Sequence, residues 1–299
     1  MHHLLPSMWR SLLIVAVAVT GVLAIPVGTD SDENQAEMRF VPLSRGTLVI
    51  CGGGEMPDDV MLQFVDAAGG GDARIVVVTT ASETADSDEV EEELEFWRSL
   101  DISQLTVLHT RSRETANDPE FVRPLLDATG IWFIGGKQAW LADTYLGTIA
   151  ERKIHEVLDR GGVVGGISAG AAIMSSVMIR AGDPEPETGR GFGLLPGTIV
   201  DQHFLARNRQ QRLMGALEAN PGMLGLGIDE GAAVVVHGRR LRVVGDSDVV
   251  ACIPQSSGRG ARVETMKPGT QADLYALSLA ASKSRRNGKS RSVVEGSAD

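Results

Sequence analysis

The segment Gly166-Ile167-Ser168-Ala169-Gly170 sets one serine among small residues, after the apolar run "GGVVGG" and before Ala171 and Ala172. G-x-S-x-G between a strand and a helix is the context of a nucleophile elbow. The turn is tight, its neighbours must be small, and the hydroxyl is lifted above the edge of the sheet. Developing negative charge is favoured at a helix N-terminus. The competing reading is a glycine-rich strand-to-helix turn with an incidental serine. A base and an acid to orient it decide between the two.

The chain has six histidines. His2 and His3 precede the apolar N-terminal run, His109 ends a strand, and His155 falls on an amphipathic, exposed helix. His237 precedes Gly238-Arg239-Arg240 in what reads as an exposed hairpin turn. His203, in Asp201-Gln202-His203-Phe204, follows the run "GLLPGTIV" and is the preferred base. Asp229 and Glu230 lie between two apolar runs. Glu230 adjoins Gly231 at a strand end, which suits a carboxylate aimed into a site. The resulting order is Ser168, His203, Glu230. The α/β-hydrolase order, serine then acid then histidine, would instead use Asp201 or Asp229 with His237. A base must be neutral to work, and Glu230 is expected to favour the imidazolium and raise the His203 pKa.

Arg207, Arg209 and Arg212 follow the proposed base. Residues 209 and 212 are neighbours on a helix face. Guanidinium forks pair bidentately with carboxylates, so a cluster beside the base suits an anionic substrate. The plainer alternative is a solvated first helical turn.

These residues need a frame, and the hydrophobic pattern supplies one. Apolar runs at 46–54, 73–82, 105–110, 130–136 and 161–166 read as strands. Helical spacing covers 57–68, 86–99, 117–128, the segment from about 138, and 148–160. Alternation of short apolar runs with helices implies a mostly parallel sheet covered on both faces. The predicted fold is a doubly wound α/β domain over about 45–230. "AAVVVHGRRLRVVGDSDVVACI" reads as additional C-terminal antiparallel β-strands on the same domain. Functional residues of such sheets gather at the carboxyl ends of the strands. Three ends are glycine-rich, at 52–54, 135–136 and 165–166. The first lacks a dinucleotide fingerprint and a Walker lysine-serine pair, which disfavours nucleotide binding.

Of the 299 residues, 43% are hydrophobic, enough for a sizeable core, and the net charge of −11 disfavours nucleic acid as a partner. Cys51 and Cys252 have neither disulfide-framework nor metal-ligand spacing and read as buried thiols. Arg10, the apolar run "SLLIVAVAVTGVLA" and the small residues at 22–24 read as a signal peptide over 1–24, against the rival of an uncleaved anchor. Cleavage implies a secreted or periplasmic protein without a stable membrane anchor. Residues 25–44 read as a linker, 45–280 as the folded domain, and 281–299 as a disordered basic tail.

Taken together, "GISAGAA", "DQHF" with the following arginines, and "GIDEGAAVVV" resemble the cyanophycinases, in the serine peptidase family that also contains aspartyl dipeptidase. "IWFIGGKQ" at 131–138 is similar to that family's strand and turn ahead of the nucleophile. The resemblance spans roughly 45–278. It implies a class I glutamine-amidotransferase-like fold, Ser168 as nucleophile, His203 as base and Glu230 as its orienter. It implies an oxyanion hole from the backbone N–H groups of Gly136 and Ala169. A pocket of Gln138, Asp201, Gln202, Arg207, Arg209 and Arg212 follows from it, as does a homodimer. Lys137 and Ile167 depart from the family pattern, the first where an acidic or amide residue is common, the second where threonine is. The implied substrate is cyanophycin, a polyaspartate backbone with arginine on each β-carboxyl, cleaved to β-Asp-Arg dipeptides through an acyl-enzyme without a metal or organic cofactor. A dipeptidase for other aspartyl or isoaspartyl peptides and an inactive secreted binding protein on the same fold are the competing functions.

Overall fold

The computed structural model describes residues 43–255 and 260–292. The expected signal peptide, nearly all of the expected linker, and residues 293–299 lie outside the described residues.

In chain order the strands are β1 (Leu43–Cys51), β2 (Arg74–Val78), β3 (Gln104–Leu108), β4 (Gly130–Phe133), β5 (Val163–Ile167), β6 (Val177–Ala181), β7 (Glu187–Arg190), β8 (Thr198–Gln202), β9 (Leu224–Ile228), β10 (Ala232–Gly238), β11 (Arg240–Gly245), β12 (Val249–Pro254), β13 (Ala261–Met266) and β14 (Gln271–Asp273). The α-helices are α1 (Asp58–Ala67), α2 (Val90–Ser99), α3 (Pro119–Val122), α4 (Pro124–Asp127), α5 (Gln138–Tyr145), α6 (Ile149–Asp159), α7 (Ala169–Ala172), α8 (Gln210–Ala219) and α9 (Leu274–Ser292).

The main sheet has the order β14-β11-β10-β1-β5-β4-β2-β3. The five strands from β1 to β3 in that order are parallel, as the apolar runs predict. Both faces are buried. Leu48, Ile50, Val76, Val78, Ile131 and Phe133 point into one core. Their chain neighbours Val49, Cys51, Ile75, Val77 and Trp132 point into another. Period-two alternation between two buried faces is what turns a strand into an unbroken apolar run. On the second face Phe64 stacks edge-on against Trp97 and Trp132, with ring centroids 5.7 and 5.0 Å away.

The hairpin β10–β11 joins this sheet antiparallel to β1, matching the expected C-terminal strands. The sequence did not foreshadow a second sheet, of order β13-β12-β9-β8. It packs α8 over a third core that includes Phe204, Leu213, Leu217 and Cys252. The helix expected over 117–128 is two short helices, because Pro124 has no N–H to continue the first. The last helix, α9, runs from Leu274 to Ser292. Buried Leu274 and Ala281 anchor its first turns, and the lysines and arginines beyond are good helix formers. Among the described residues no helix is long and apolar enough to cross a membrane.

Register sets the place of the site. Cys51 at the end of β1 pairs with Ile167 at the end of β5 and with Ala233 near the start of β10. The chain leaving β1, the chain leaving β5 and the chain entering β10 therefore meet at one edge of the sheet.

Candidate active site

Ser168 is the first residue beyond β5. Its backbone takes φ 53° and ψ −107°, a conformation that costs a non-glycine residue about 1–3 kcal/mol. Three hydrogen bonds hold it there: the Ser168 N–H donates to the Cys51 carbonyl at 3.1 Å, and the Ser168 carbonyl accepts from the Ala171 and Ala172 N–H groups, each at 3.0 Å. Small neighbours are a packing requirement. A Cβ on Gly166 would come within 2.8 Å of the Gly170 carbonyl carbon, and one on Gly170 would overlap the Phe133 carbonyl. This is the strand–turn–helix expected of an elbow. The helix after it is a single turn, so the N-terminal field expected from a longer helix reduces to the nearest N–H groups.

His203 follows β8, which belongs to the second sheet. Its N–H donates to the Gly52 carbonyl at 2.9 Å, which ties the turn to the end of β1. Its Nε2 lies 2.9 Å from Ser168 Oγ, and its Nδ1 lies 2.6 Å from Glu230 Oε1. Glu230 sits in the turn between β9 and β10. The glycines at 52–54 cradle the site's own residues: Gly52 lies against the Ile228 and Asp229 carbonyls, Gly53 against the imidazole and Gly54 against Glu230. Gly53, at φ 130°, lies so close that a Cβ there would overlap the His203 ring. No sequence signal beyond the glycines themselves marked this contact.

The alternative acids and base fall elsewhere. Asp229 turns away from any histidine. Its Oδ1 accepts from the Leu205 and Ala206 N–H groups at 2.9 and 2.8 Å, and its Oδ2 accepts from Ser247 Oγ at 3.1 Å. It braces the turn just past His203, a role the sequence did not reveal. His237 pairs across to Thr47, toward the opposite edge of the sheet, with Nδ1 3.2 Å from Thr47 Oγ1. His109 lies 3.0 Å from Asp86, and His155 reaches the Phe192 carbonyl at 2.9 Å.

The imidazole is mostly enclosed, while the Glu230 side chain is 41% exposed. Burial lowers the His203 pKa, and Arg207 and Arg209 lower it further. Glu230 pulls it up without overcoming them. The expected rise is thus reversed in sign, and the resting imidazole is held neutral.

Gly135 and Gly136 leave β4 beside the serine. A Cβ on Gly135 would sit 3.7 Å from Ser168 Cβ. Gly136, at φ 122°, packs on the Ala81 carbonyl, which also accepts from the Lys137 N–H at 2.8 Å. Gly136 and Ala169 thus stand on the two turns that flank Ser168. The Lys137 ammonium pairs with Glu83 and lies 4.5 Å over the Trp140 ring.

The expected pocket residues divide. Asp201 is fully buried and receives a two-pronged ion pair from Arg212, which is itself 4% exposed, with Nε–Oδ2 at 3.0 Å. Arg209 donates from Nη1 to the Gln202 carbonyl at 2.7 Å and lies 3.8 Å from Asp201. Gln138 donates from Nε2 to the Ile179 carbonyl at 2.9 Å, linking α5 to β6. Gln202 is buried, with Oε1 lacking a hydrogen-bond partner. Asp201, Arg209 and Arg212 are therefore already engaged within the fold, and the expected three-arginine surface does not form. Exposed Arg207 lines an open cleft of about 610 Å³ beside the His203 turn. Cys51 and Cys252 are buried free thiols, and burial pushes Cys252 up to about 11. Among the described residues no cluster of His, Cys, Asp or Glu is arranged to hold a metal ion.

A family model for peptidase family S51 matches residues 48–244, which include Ser168, His203 and Glu230. Cyanophycinases from Synechococcus elongatus and Geminocystis herdmanii are each 32% identical to the chain, over 224 and 219 residues. These alignments cover 71% and 69% of this chain and 69% and 79% of the two relatives. The crystal structure of a peptidase from an acI-B1 actinobacterium aligns with a TM-score of 0.60 at 25% identity, covering 77% of this chain and 97% of the other. A putative peptidase E protein from Listeria monocytogenes, 19% identical with a TM-score of 0.50 over 68% of this chain and all of its own, shares the fold. The sheet plan is the class I glutamine-amidotransferase-like one that the sequence motifs imply. A match across most of the domain, relatives aligned over more than two thirds of the chain, and an elbow serine bonded to a histidine place this chain in peptidase family S51, as a cyanophycinase-like serine peptidase.

Proposed function

We propose that the protein is an exported serine exopeptidase that hydrolyses cyanophycin to β-Asp-Arg dipeptides. The observation that carries this reading is the continuous hydrogen-bond chain from Ser168 through His203 to Glu230. The cyanophycinases among its relatives supply the substrate class.

In this reading His203 Nε2 takes the Ser168 proton as Oγ attacks the scissile carbonyl of the aspartyl backbone. The oxyanion forms between the backbone N–H groups of Gly136 and Ala169. Glu230 holds the imidazole orientation and balances the imidazolium. His203 then protonates the leaving amine. Water, deprotonated by the same nitrogen, attacks the acyl-enzyme, and the dipeptide departs. Arg207 receives an aspartyl carboxylate at the cleft, through a fork that lysine cannot reproduce.

Export follows from the apolar segment ahead of residue 25, and homodimerisation belongs to the same family reading. The protein recovered outside the cytoplasm should begin just after Ala24. Incubation of that protein with cyanophycin, followed by mass analysis, should show β-Asp-Arg as the accumulating product. Turnover of short α-aspartyl peptides with cyanophycin left intact would replace the reading with the dipeptidase one. Failure of Ser168 to label with a phosphonate probe would point to an inactive binding protein.

A further inference from the structure

The hairpin β6–β7 ends in Gly182-Asp183-Pro184-Glu185-Pro186, and this tip is clamped onto α8. Arg212 Nη1 donates to the Gly182 carbonyl at 3.3 Å. Pro186 packs on the helix, where a Cβ at Gly215 would lie 3.2 Å from Pro186 Cδ. Arg212 is itself fixed by buried Asp201. A buried ion pair thus positions the tip, and two prolines restrict its backbone.

The clamp presents Asp183. Its carboxylate lies 3.9 Å from Arg209 Nε, within reach of the charge but too far for a hydrogen bond, and its side chain is 51% exposed. Arg209 Nε is buried without an acceptor. Among the described residues nothing donates a hydrogen bond to the Asp183 carboxylate, so its acceptor sites face the cleft unoccupied. That cleft is the one lined by Arg207, together with Pro184, Asn208, Gln210 and Met214. One cavity therefore carries an exposed cation and an exposed carboxylate on separate elements.

We propose that Asp183 is a specificity-determining residue that receives the guanidinium of the substrate's arginyl branch while Arg207 takes an aspartyl carboxylate. The inference rests on the proposed function and names what that function leaves open, namely how the cleft tells an arginylated unit from any acidic peptide. Arg207 alone attracts every anionic chain. Asp183 repels a bare polyaspartate and pairs with a unit that carries both charges. Selectivity comes from an attractive and a repulsive contact acting together. A carboxylate and a guanidinium match in a two-pronged geometry, so a neutral isostere loses the contact.

The test is calorimetric binding to the full-length Ser168→Ala protein, which holds substrate without turnover. The probes are a short β-Asp-Arg oligomer and the same oligomer with citrulline for arginine. The arginine form should bind roughly ten- to thirtyfold more tightly. Asp183→Asn in the same background should abolish that preference by weakening the arginine form, with the citrulline form changing less than about threefold. Asp183→Glu should keep part of the preference. A preference that persists in Asp183→Asn, or is absent to begin with, overturns the proposal. Equal losses on both oligomers also overturn it, because they assign Asp183 to seating Arg209. Cleavage is read separately with the unaltered enzyme. An enzyme that binds with the Asp183-dependent preference but does not cleave retains this inference and refutes the proposed activity. One that cleaves both oligomers equally, without dependence on Asp183, does the reverse.

Discussion

The stretch from β8 into α8 builds two polar systems of similar chemistry and opposite use. At its start, His203 bridges Ser168 and Glu230, and the Glu230 side chain stays 41% exposed. At its end, Arg212 grips Asp201, and the two side chains are 4% and 0% exposed. Both pair a nitrogen donor with a carboxylate. The first uses a group whose charge can change, held neutral by burial and by neighbouring arginines. The second uses a permanently charged guanidinium sealed from water. A proton-transfer group must lie near the balance between its two forms and be reachable by substrate. A scaffold pair gains from the reverse, because removing either partner strands a buried charge. The difference separates side chains that do chemistry from side chains that hold the chemistry in place.

The largest effects are expected at Ser168 and Arg212, one residue from each system. Ser168→Ala should lower turnover on the order of a million-fold while leaving the melting temperature nearly unchanged. A variant that retained a tenth of the activity would remove Ser168 from the mechanism. Arg212→Ala should do the opposite in kind. It leaves buried Asp201 without its hydrogen-bonded partner and with only Arg209 at 3.8 Å, so denaturant unfolding should register a loss of about 3–5 kcal/mol. Unchanged stability there would mean that Asp201 finds water or another donor.

Gly53→Ala tests how closely the first system is fitted. The new methyl group overlaps the His203 ring, at a φ of 130° that alanine rarely adopts. Displacement of the imidazole by about an ångström should cost about a hundredfold in kcat. An unaffected kcat would show that the ring has room to yield. Arg207→Lys should cost roughly tenfold in kcat/KM on aspartyl polymers, with a smaller loss on an uncharged ester that merely acylates Ser168. Equal losses on both would make Arg207 structural, like Arg212.

The smallest effect is the most diagnostic. Because burial and the arginines lower the His203 pKa, the base stays neutral as the pH falls. The acid limb of kcat/KM should therefore lie below the ordinary histidine value of about 6.5. Glu230→Gln removes the negative charge and weakens the hydrogen bond that raise this pKa, and should move the limb lower still. A limb that moves upward in that variant would contradict the assigned balance.

The elbow was legible in the sequence because its constraints are local. A buried parallel strand must be a run of apolar residues, and a tight turn into a helix must be flanked by residues as small as Gly166 and Gly170. Chain order and family likeness then singled out His203 and Glu230. What stayed hidden depended on which surface came to lie opposite. Helical spacing made neighbours of Arg209 and Arg212 without revealing that β8, α8 and the β6–β7 tip close around them. Gly53 read as a turn glycine until the His203 ring filled its Cβ position. Asp229 and Glu230 are adjacent carboxylates, and while Glu230 meets the imidazole as its place beside Gly231 suggested, nothing in the chain announced that Asp229 braces the backbone at Leu205 and Ala206. The parallel sheet, the elbow and the residue types of a serine peptidase are written in the chain itself, because they follow from periodicity and from steric limits within a few residues. Which arginine faces the cleft and which ones are sealed into the scaffold is settled by the fold alone. Burial and charge pairing are set by groups far apart in the chain, and they become neighbours only when the second sheet packs against the first.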